Sequence, residues 1–205
     1  MGYDVTMKLA LDFDGVLSDT IQSWVNKYNQ VHYADLDKDL ITHRDIDMWG
    51  FYKKFDMTLD ECFDYFNMAW SDWQNLKPQE NHLPQKTKML NNILEVDVVT
   101  AVVPEYLENI RKWLDWNQIV YGELIHSNDK EKLDYDIYVD DADRNIQKVY
   151  DAGKIGLLYN QAWNRDMKSV EKLSFDSNSG MIRRVYNMYD VIDVVRDLVN
   201  EEQTD

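Results

Sequence analysis

Asp12 and Asp14 stand one residue apart at the end of an apolar run, Met7-Lys8-Leu9-Ala10-Leu11, and Gly15 follows at once. In an extended strand, residues i and i+2 point to the same side. Both carboxylates can therefore leave the C-terminal end of one strand together while Gly15 lets the backbone turn away. Two such groups repel each other unless something positive neutralises them, and a divalent ion with hard oxygen ligands is suited to that task. One carboxylate can then attack as a nucleophile while the other handles a proton. Asp-x-Asp-Gly also occurs in plain turns and in calcium loops. An EF-hand needs Glu at its twelfth position, and counting from Asp12 that position is Ser23.

Three further groups suit the same chemistry. Thr100 lies near the end of a second apolar run, Val96–Val102, and its hydroxyl can donate to a phosphoryl oxygen. Lys130 and Lys132 precede another run, Tyr135–Asp140, which ends in the acidic pair Asp140 and Asp141 with Asp143 beyond. Taken singly, each has a structural alternative. Thr100 is a good β-former, Asn128–Lys132 is a charge run of the kind found in solvated loops, and Asp140-Asp141 can cap a following helix. Their order is the argument, because ligands of open α/β sheets bind beyond the carboxyl ends of the strands.

The elements that must position these groups are legible as alternating patterns. Lys8–Phe13, Val96–Val102, Tyr121–Ser127, Tyr135–Asp140 and Lys154–Tyr159 are short β-branched or aromatic runs, as in buried parallel strands. Helical patterns fall between and after them: Pro104–Leu114, Asp143–Ala152 ended by Gly153, and a C-terminal stripe of Val191, Val194, Val195 and Leu198 with Asp190 as its expected cap. The expected fold is α/β, a doubly wound parallel sheet. Residues from about Asp19 to Glu95 interrupt the alternation, being too many for one crossover helix. Two or more helices are expected there, for example Thr20–His32 with Asp19 as N-cap, and Thr58–Leu76 opened by a Thr58/Glu61 capping box. The expected domains are a core of residues 1–18 and 96–205 and a small helical cap, 19–95, inserted after the first strand.

Composition bounds the partners. A formal net charge of −16 over 205 residues repels long polyanions, so a nucleic-acid polymer is a poor partner. A small anion can still bind where a cation and a lysine reverse the sign locally. The sole cysteine, Cys62, excludes an internal disulfide and a cysteine-based zinc cluster. It fits a reducing cytosol, and a cytoplasmic location is expected. No apolar run approaches membrane-spanning length, and Met1–Thr6 lacks a signal pattern, so no membrane partner is expected. His32, His43, His82 and His126 share no ligand spacing. The cap's rings (Trp24, Trp49, Phe51, Trp70 and Trp73 among them) need a core or a ligand to cover them, and any ring can stack on a nucleobase.

The order Asp12-Phe13-Asp14-Gly15-Val16, then Thr100, then Lys130, then Ile137-Tyr138-Val139-Asp140-Asp141 resembles the four motifs of the haloacid dehalogenase-like phosphohydrolases. Within them, Asp12–Asp19 and the Lys130-to-Asp140 spacing are similar to the 5′(3′)-deoxyribonucleotidases, also called cytosolic type C 5′-nucleotidases. Leu158-Tyr159-Asn160-Gln161-Ala162-Trp163-Asn164-Arg165 is similar to a loop in bacterial and phage members; Trp163 and Asn164 in it are expected to be structural. The resemblance spans about residues 7–165. It implies a hydrolase acting on a small phosphate ester, a deoxyribonucleoside monophosphate by preference, and is compatible with a homodimer. It implies Asp12 as nucleophile and Asp14 as general acid and base. Thr100 and Lys130 would bind the phosphoryl group, with Lys132 the alternative lysine. Mg²⁺ would be held by the Asp12 carboxylate, the Asp14 carbonyl and Asp141, with Asp140 in support. Such enzymes often carry Thr-Ser-Pro where this chain has Thr100-Ala101-Val102. A sugar-phosphate phosphatase and a non-catalytic phosphate-ester-binding protein are the alternative functions.

Overall fold

Six parallel strands in the order β3-β2-β1-β4-β5-β6 form one sheet in a computed structural model that describes residues 7–35, 39–165 and 180–202. They are β1 (Lys8–Leu11), β2 (Glu95–Thr100), β3 (Leu124–His126), β4 (Ile137–Asp140), β5 (Ile155–Tyr159) and β6 (Met181–Val185). The helices are α1 (Thr20–His32), α2 (Leu59–Ser71), α3 (Leu83–Asn91), α4 (Leu107–Trp116), α5 (Asp143–Asp151) and α6 (Met188–Glu202). The doubly wound α/β expectation holds, and β1 lies at the reversal of strand order, between β2 and β4. That reversal opens the crevice where such sheets bind ligands.

Alternation along β1 divides the core. Leu9 and Leu11 join Val96, Val98, Ile137 and Val139 in one buried cluster with Ile110, Trp113 and Leu114 of α4 and Val191 and Val195 of α6. Ala10 points to the other face, with Val99, Tyr138 and Val149 of α5. Between β1 and β2, helices α1 and α2 pack on each other, and their own cluster holds Trp24, Val25, Tyr28, Phe51 and Cys62. Helix α3 behaves differently. Its Leu83 and Leu90 sit in the sheet's core, beside α6. Among the described residues, no helix is long and apolar enough to cross a membrane.

Local chemistry sets several boundaries. Asp19 caps α1, accepting from Gln22 N at 3.1 Å. Thr58 and Glu61 form the reciprocal capping box of α2, with Glu61 N to Thr58 Oγ1 at 3.2 Å and Thr58 N to Glu61 Oε2 at 2.7 Å. Helix α2 then stops at Ser71, five residues short of the expected Leu76, and a 3₁₀ turn follows at Trp73–Asn75. Pro104–Tyr106 is likewise a 3₁₀ turn ahead of α4. At the last helix the expected cap is corrected. Asn187 Oδ1 accepts from Tyr189 N at 2.8 Å and Asp190 N at 3.2 Å, while Asp190 reaches back to Tyr186 N from within the first turn. Strand β6 was outside the expected set. Its Arg183 and Arg184 interrupt the apolar pattern, as befits an edge strand.

Candidate active site

Strand β1 ends at Leu11, yet Asp12 N still donates to Val139 O at 2.9 Å, so Asp12 is fixed where β1 and β4 part. The chain then folds tightly back. Leu17 N and Ser18 N both donate to Phe13 O, at 3.0 and 2.9 Å, and Gly15 takes a φ of +74°. Only glycine adopts that conformation without cost. A second demand falls on the same residue, since a Cβ at position 15 would lie 2.3 Å from Asp141 Oδ2. Gly15 therefore lets the Asp12–Asp14 turn and the β4 carboxylates approach one another.

The four motif regions converge. A cavity of about 280 Å³ beyond the strand ends is lined by Asp12, Asp14, Thr100, Lys130 and Asp141 together with cap rings. Ligand oxygens of Asp12, Asp140 and Asp141, all buried, lie within 4.8 Å of one another. Lys130 sits in a 3₁₀ turn (Lys130–Lys132) and is buried, its Nζ 2.7 Å from Asp12 Oδ1 and 2.7 Å from Asp140 Oδ2. Lys132 points outward and pairs with Asp129 at 2.6 Å, so the geometry brings Lys130 and not Lys132 to the carboxylates. Thr100 is fully buried, and its Oγ1 accepts from Val102 N at 3.1 Å, leaving the hydroxyl proton free to donate elsewhere. Ala101 beside it brings no hydroxyl to the cavity.

Asp140 is heavily engaged. Besides Lys130 it accepts from Ala142 N at 2.8 Å and from Asn145 Nδ2 at 3.0 and 3.2 Å, which fits a supporting place. Asp14 is half-buried and its Oδ1 accepts from Thr20 Oγ1 and from Trp70 Nε1, the latter at 3.1 Å. These two partners were missed in the sequence. Trp70 comes from 56 residues away on α2, and nothing in the sequence marks which of the cap rings has an N–H that meets Asp14. Trp163 is a third case, its Nε1 donating to Asp141 Oδ2 at 2.8 Å.

Charge dominates the electrostatics. Burial pushes the Asp12 carboxyl up to about 7, with Asp140 and Asp14 adding to the rise and Lys130 opposing it. Burial also raises Asp14, against its hydrogen bonds from Thr20 and Trp70. Asp141 is raised well above the carboxylate range by burial and then by Asp140 and Asp12. Burial alone would depress the Lys130 ammonium, but Asp12 and Asp140 hold it above the usual lysine range. One lysine thus faces four carboxylates in a desolvated crevice. That shortage of positive charge, with an all-oxygen donor set, fits a hard divalent cation. Among the described residues, Asp12, Asp140 and Asp141 bring their carboxylate oxygens close enough together to hold one.

The family model described as 5′ nucleotidase, deoxy (pyrimidine), cytosolic type C protein matches residues 6–186. Among curated proteins no sequence match is found. Similar solved structures include a haloacid dehalogenase-like family hydrolase from Streptococcus pneumoniae, 10% identical, with TM-score 0.65 over 92% of this chain and 98% of that one. Another hydrolase of that kind, from Xanthomonas campestris, is 9% identical with TM-score 0.59 over 98% and 99%. A phosphonoacetaldehyde hydrolase-like protein from Oleispira antarctica is 12% identical with TM-score 0.59 over 98% and 96%. At such identities these likenesses concern the fold.

Proposed function

Because this chain belongs to the cytosolic type C 5′-nucleotidase family, and is thus a phosphoric monoester hydrolase, we propose that it is a Mg²⁺-dependent phosphatase of nucleoside monophosphates, deoxyribonucleotides by preference. The supporting observation is Lys130 Nζ at 2.7 Å from Asp12, inside a cluster of three buried carboxylates at the strand ends.

In the proposed mechanism an Asp12 oxygen attacks phosphorus and the bond to the ester oxygen breaks, leaving an aspartyl-phosphate. Asp14 gives its proton to the departing oxygen, then takes one from the water that attacks the aspartyl-phosphate and restores Asp12. A carboxyl raised by burial, as Asp14 is, suits a group that must be protonated at the first step and not at the second. Lys130 and Thr100 hold the phosphoryl oxygens. Without compensation, a carboxylate about 4 Å from a phosphate dianion is opposed by about 8 kcal/mol at an effective dielectric of about 20. Lys130 offsets part of that, and the cation, held by Asp12, Asp141 and the Asp14 carbonyl, would supply the remaining positive charge.

Helices α1 and α2 of the 19–95 segment would form the cap. Phe63, Phe66, Trp70 and Trp49 line the cavity on that side, and the half-exposed Trp49 and Phe63 offer faces for a flat base. The cavity's size suits a small ester and not a polymer. The decisive experiment is phosphate release from all nucleoside monophosphates and common sugar phosphates, with and without Mg²⁺. The reading expects a nucleotide preference that chelation abolishes and that Asp12→Asn removes. A preference for sugar phosphates would move the substrate class. Full turnover in Asp12→Asn would remove the nucleophile.

A further inference from the structure

We propose that Trp163 is a positioning residue that aims the Asp141 carboxylate into the cation site. The ring belongs to two parts of the molecule at once. Its body is buried in the apolar cluster of α1 and α2, with Ile21, Trp24 and Cys62. Its centroid is 6.3 Å from that of Trp49 and 6.1 Å from that of His43. Its one polar atom, Nε1, turns the other way and donates to Asp141 Oδ2 at 2.8 Å.

The neighbouring residues of the same turn complete the hold. Asn164 Nδ2 donates to the Asp141 carbonyl at 2.8 Å, and Gln161 Nε2 donates to the Gly15 carbonyl at 2.6 Å. One short segment therefore grips the main chain and the side chain of Asp141 and the turn that faces it. A carboxylate rotates about its Cβ–Cγ bond with little preference of its own. Holding Oδ2 against the indole N–H, with Gly15 close on the same oxygen, fixes the carboxylate plane and hence the direction of Oδ1. Phenylalanine or leucine could fill the apolar cluster. What tryptophan adds is a donor at the end of a rigid ring. Groups that orient a metal-binding side chain commonly govern metal affinity. The inference rests on the reading that Asp141 binds a divalent cation.

Trp163→Phe removes the N–H and keeps an aromatic ring. The test titrates Mn²⁺ into the wild-type protein and the variant, following free Mn²⁺ by electron paramagnetic resonance. Mn²⁺ affinity should fall roughly ten- to hundredfold. The Mg²⁺ concentration for half-maximal phosphate release should rise by a like factor, with kcat recovering at saturating metal. A merely structural role would lower the melting temperature and the active fraction but leave the Mn²⁺ affinity of the folded molecules alone. Should Trp163→Phe fail to fold, 3-benzothienylalanine at position 163 keeps the ring size while sulfur replaces the N–H. Unchanged Mn²⁺ affinity in a folded variant overturns the proposal. A wild-type protein that takes up no Mn²⁺ overturns the metal reading itself, and that result precedes any substitution.

Discussion

Gly15→Ala is expected to disable the site through Asp141, a residue 126 positions away in the chain. The substitution has two separable costs. A side chain at φ +74° costs about 1–2 kcal/mol of backbone strain. The new Cβ would also lie 2.3 Å from Asp141 Oδ2 and 2.7 Å from its Cγ. An ordinary contact is about 3.4 Å, so the carboxylate must retreat by about 1 Å. That retreat takes Oδ2 off the Trp163 N–H, a hydrogen bond worth about 1.5–3 kcal/mol when a bound cation keeps the carboxylate ionised. Gly153→Ala supplies the control. Its φ is +76°, and a Cβ there meets nothing within 4 Å. It should carry the strain alone, lowering the melting temperature by roughly 2–8 °C and leaving turnover intact. Gly15→Ala should melt lower than Gly153→Ala and lose at least tenfold in phosphate release at fixed Mg²⁺. Equal melting temperatures with equal turnover in the two variants would refute the claim that Gly15 exists to admit Asp141.

Three other outcomes follow from the same cluster. Lys130→Met leaves Asp12 and Asp140 buried without their shared ammonium, so phosphate release should vanish and stability at pH 8 should fall by about 3–5 kcal/mol, measured by denaturant unfolding. In metal-free protein, the folded state keeps a proton on Asp12 that the unfolded chain has already released, so stability drops as pH rises from about 4 to about 7. Metal-free Asp12→Asn lacks that loss and should be more stable than metal-free wild type at pH 8, by at most about 4 kcal/mol in denaturant unfolding, with the gap closing toward about pH 4; a gap that widens at low pH would contradict it. Trp70→Phe removes a hydrogen bond that holds the Asp14 carboxyl down, so the alkaline limb of the kcat/KM profile should move to higher pH, and an unmoved limb would sever Trp70 from the acid–base step.

The parts of the site that proved legible were those on or beside β-strands with strong apolar patterns. Val96–Thr100 and Ile137–Asp140 are buried strands whose residue types announce them, and the polar groups at their ends stand out by contrast. Caps read from local spacing, Asp19 and the Thr58/Glu61 box, were likewise recoverable because the partners lie within three residues. Asp190 misled because Asn187, three residues earlier, takes the first free N–H groups of the helix and leaves Asp190 inside its first turn. Strand β6 escaped because its two arginines break the apolar pattern, Arg183 standing exposed and Arg184 donating to Asn160 and Asn164, and its ladder is made with β5 alone. Helix α3 shows the same limit. It was not among the expected helices, and only packing shows that it faces the sheet and α6.

By itself the sequence determined the order of the chemistry: an Asp-x-Asp-Gly turn, a threonine, a lysine and an acidic pair, carried on alternating strands and helices. Such information is local, set by side-chain period and by residue types that tolerate few backbone shapes. The resemblance already favoured Lys130 over Lys132, and the tertiary structure set its Nζ against Asp12; the tertiary structure alone decided that a ring on α2 donates to Asp14 and that Trp163 bonds Asp141. Those choices depend on which atoms come within about 3 Å after segments tens of residues apart have packed, and no spacing along the chain encodes a distance of that kind.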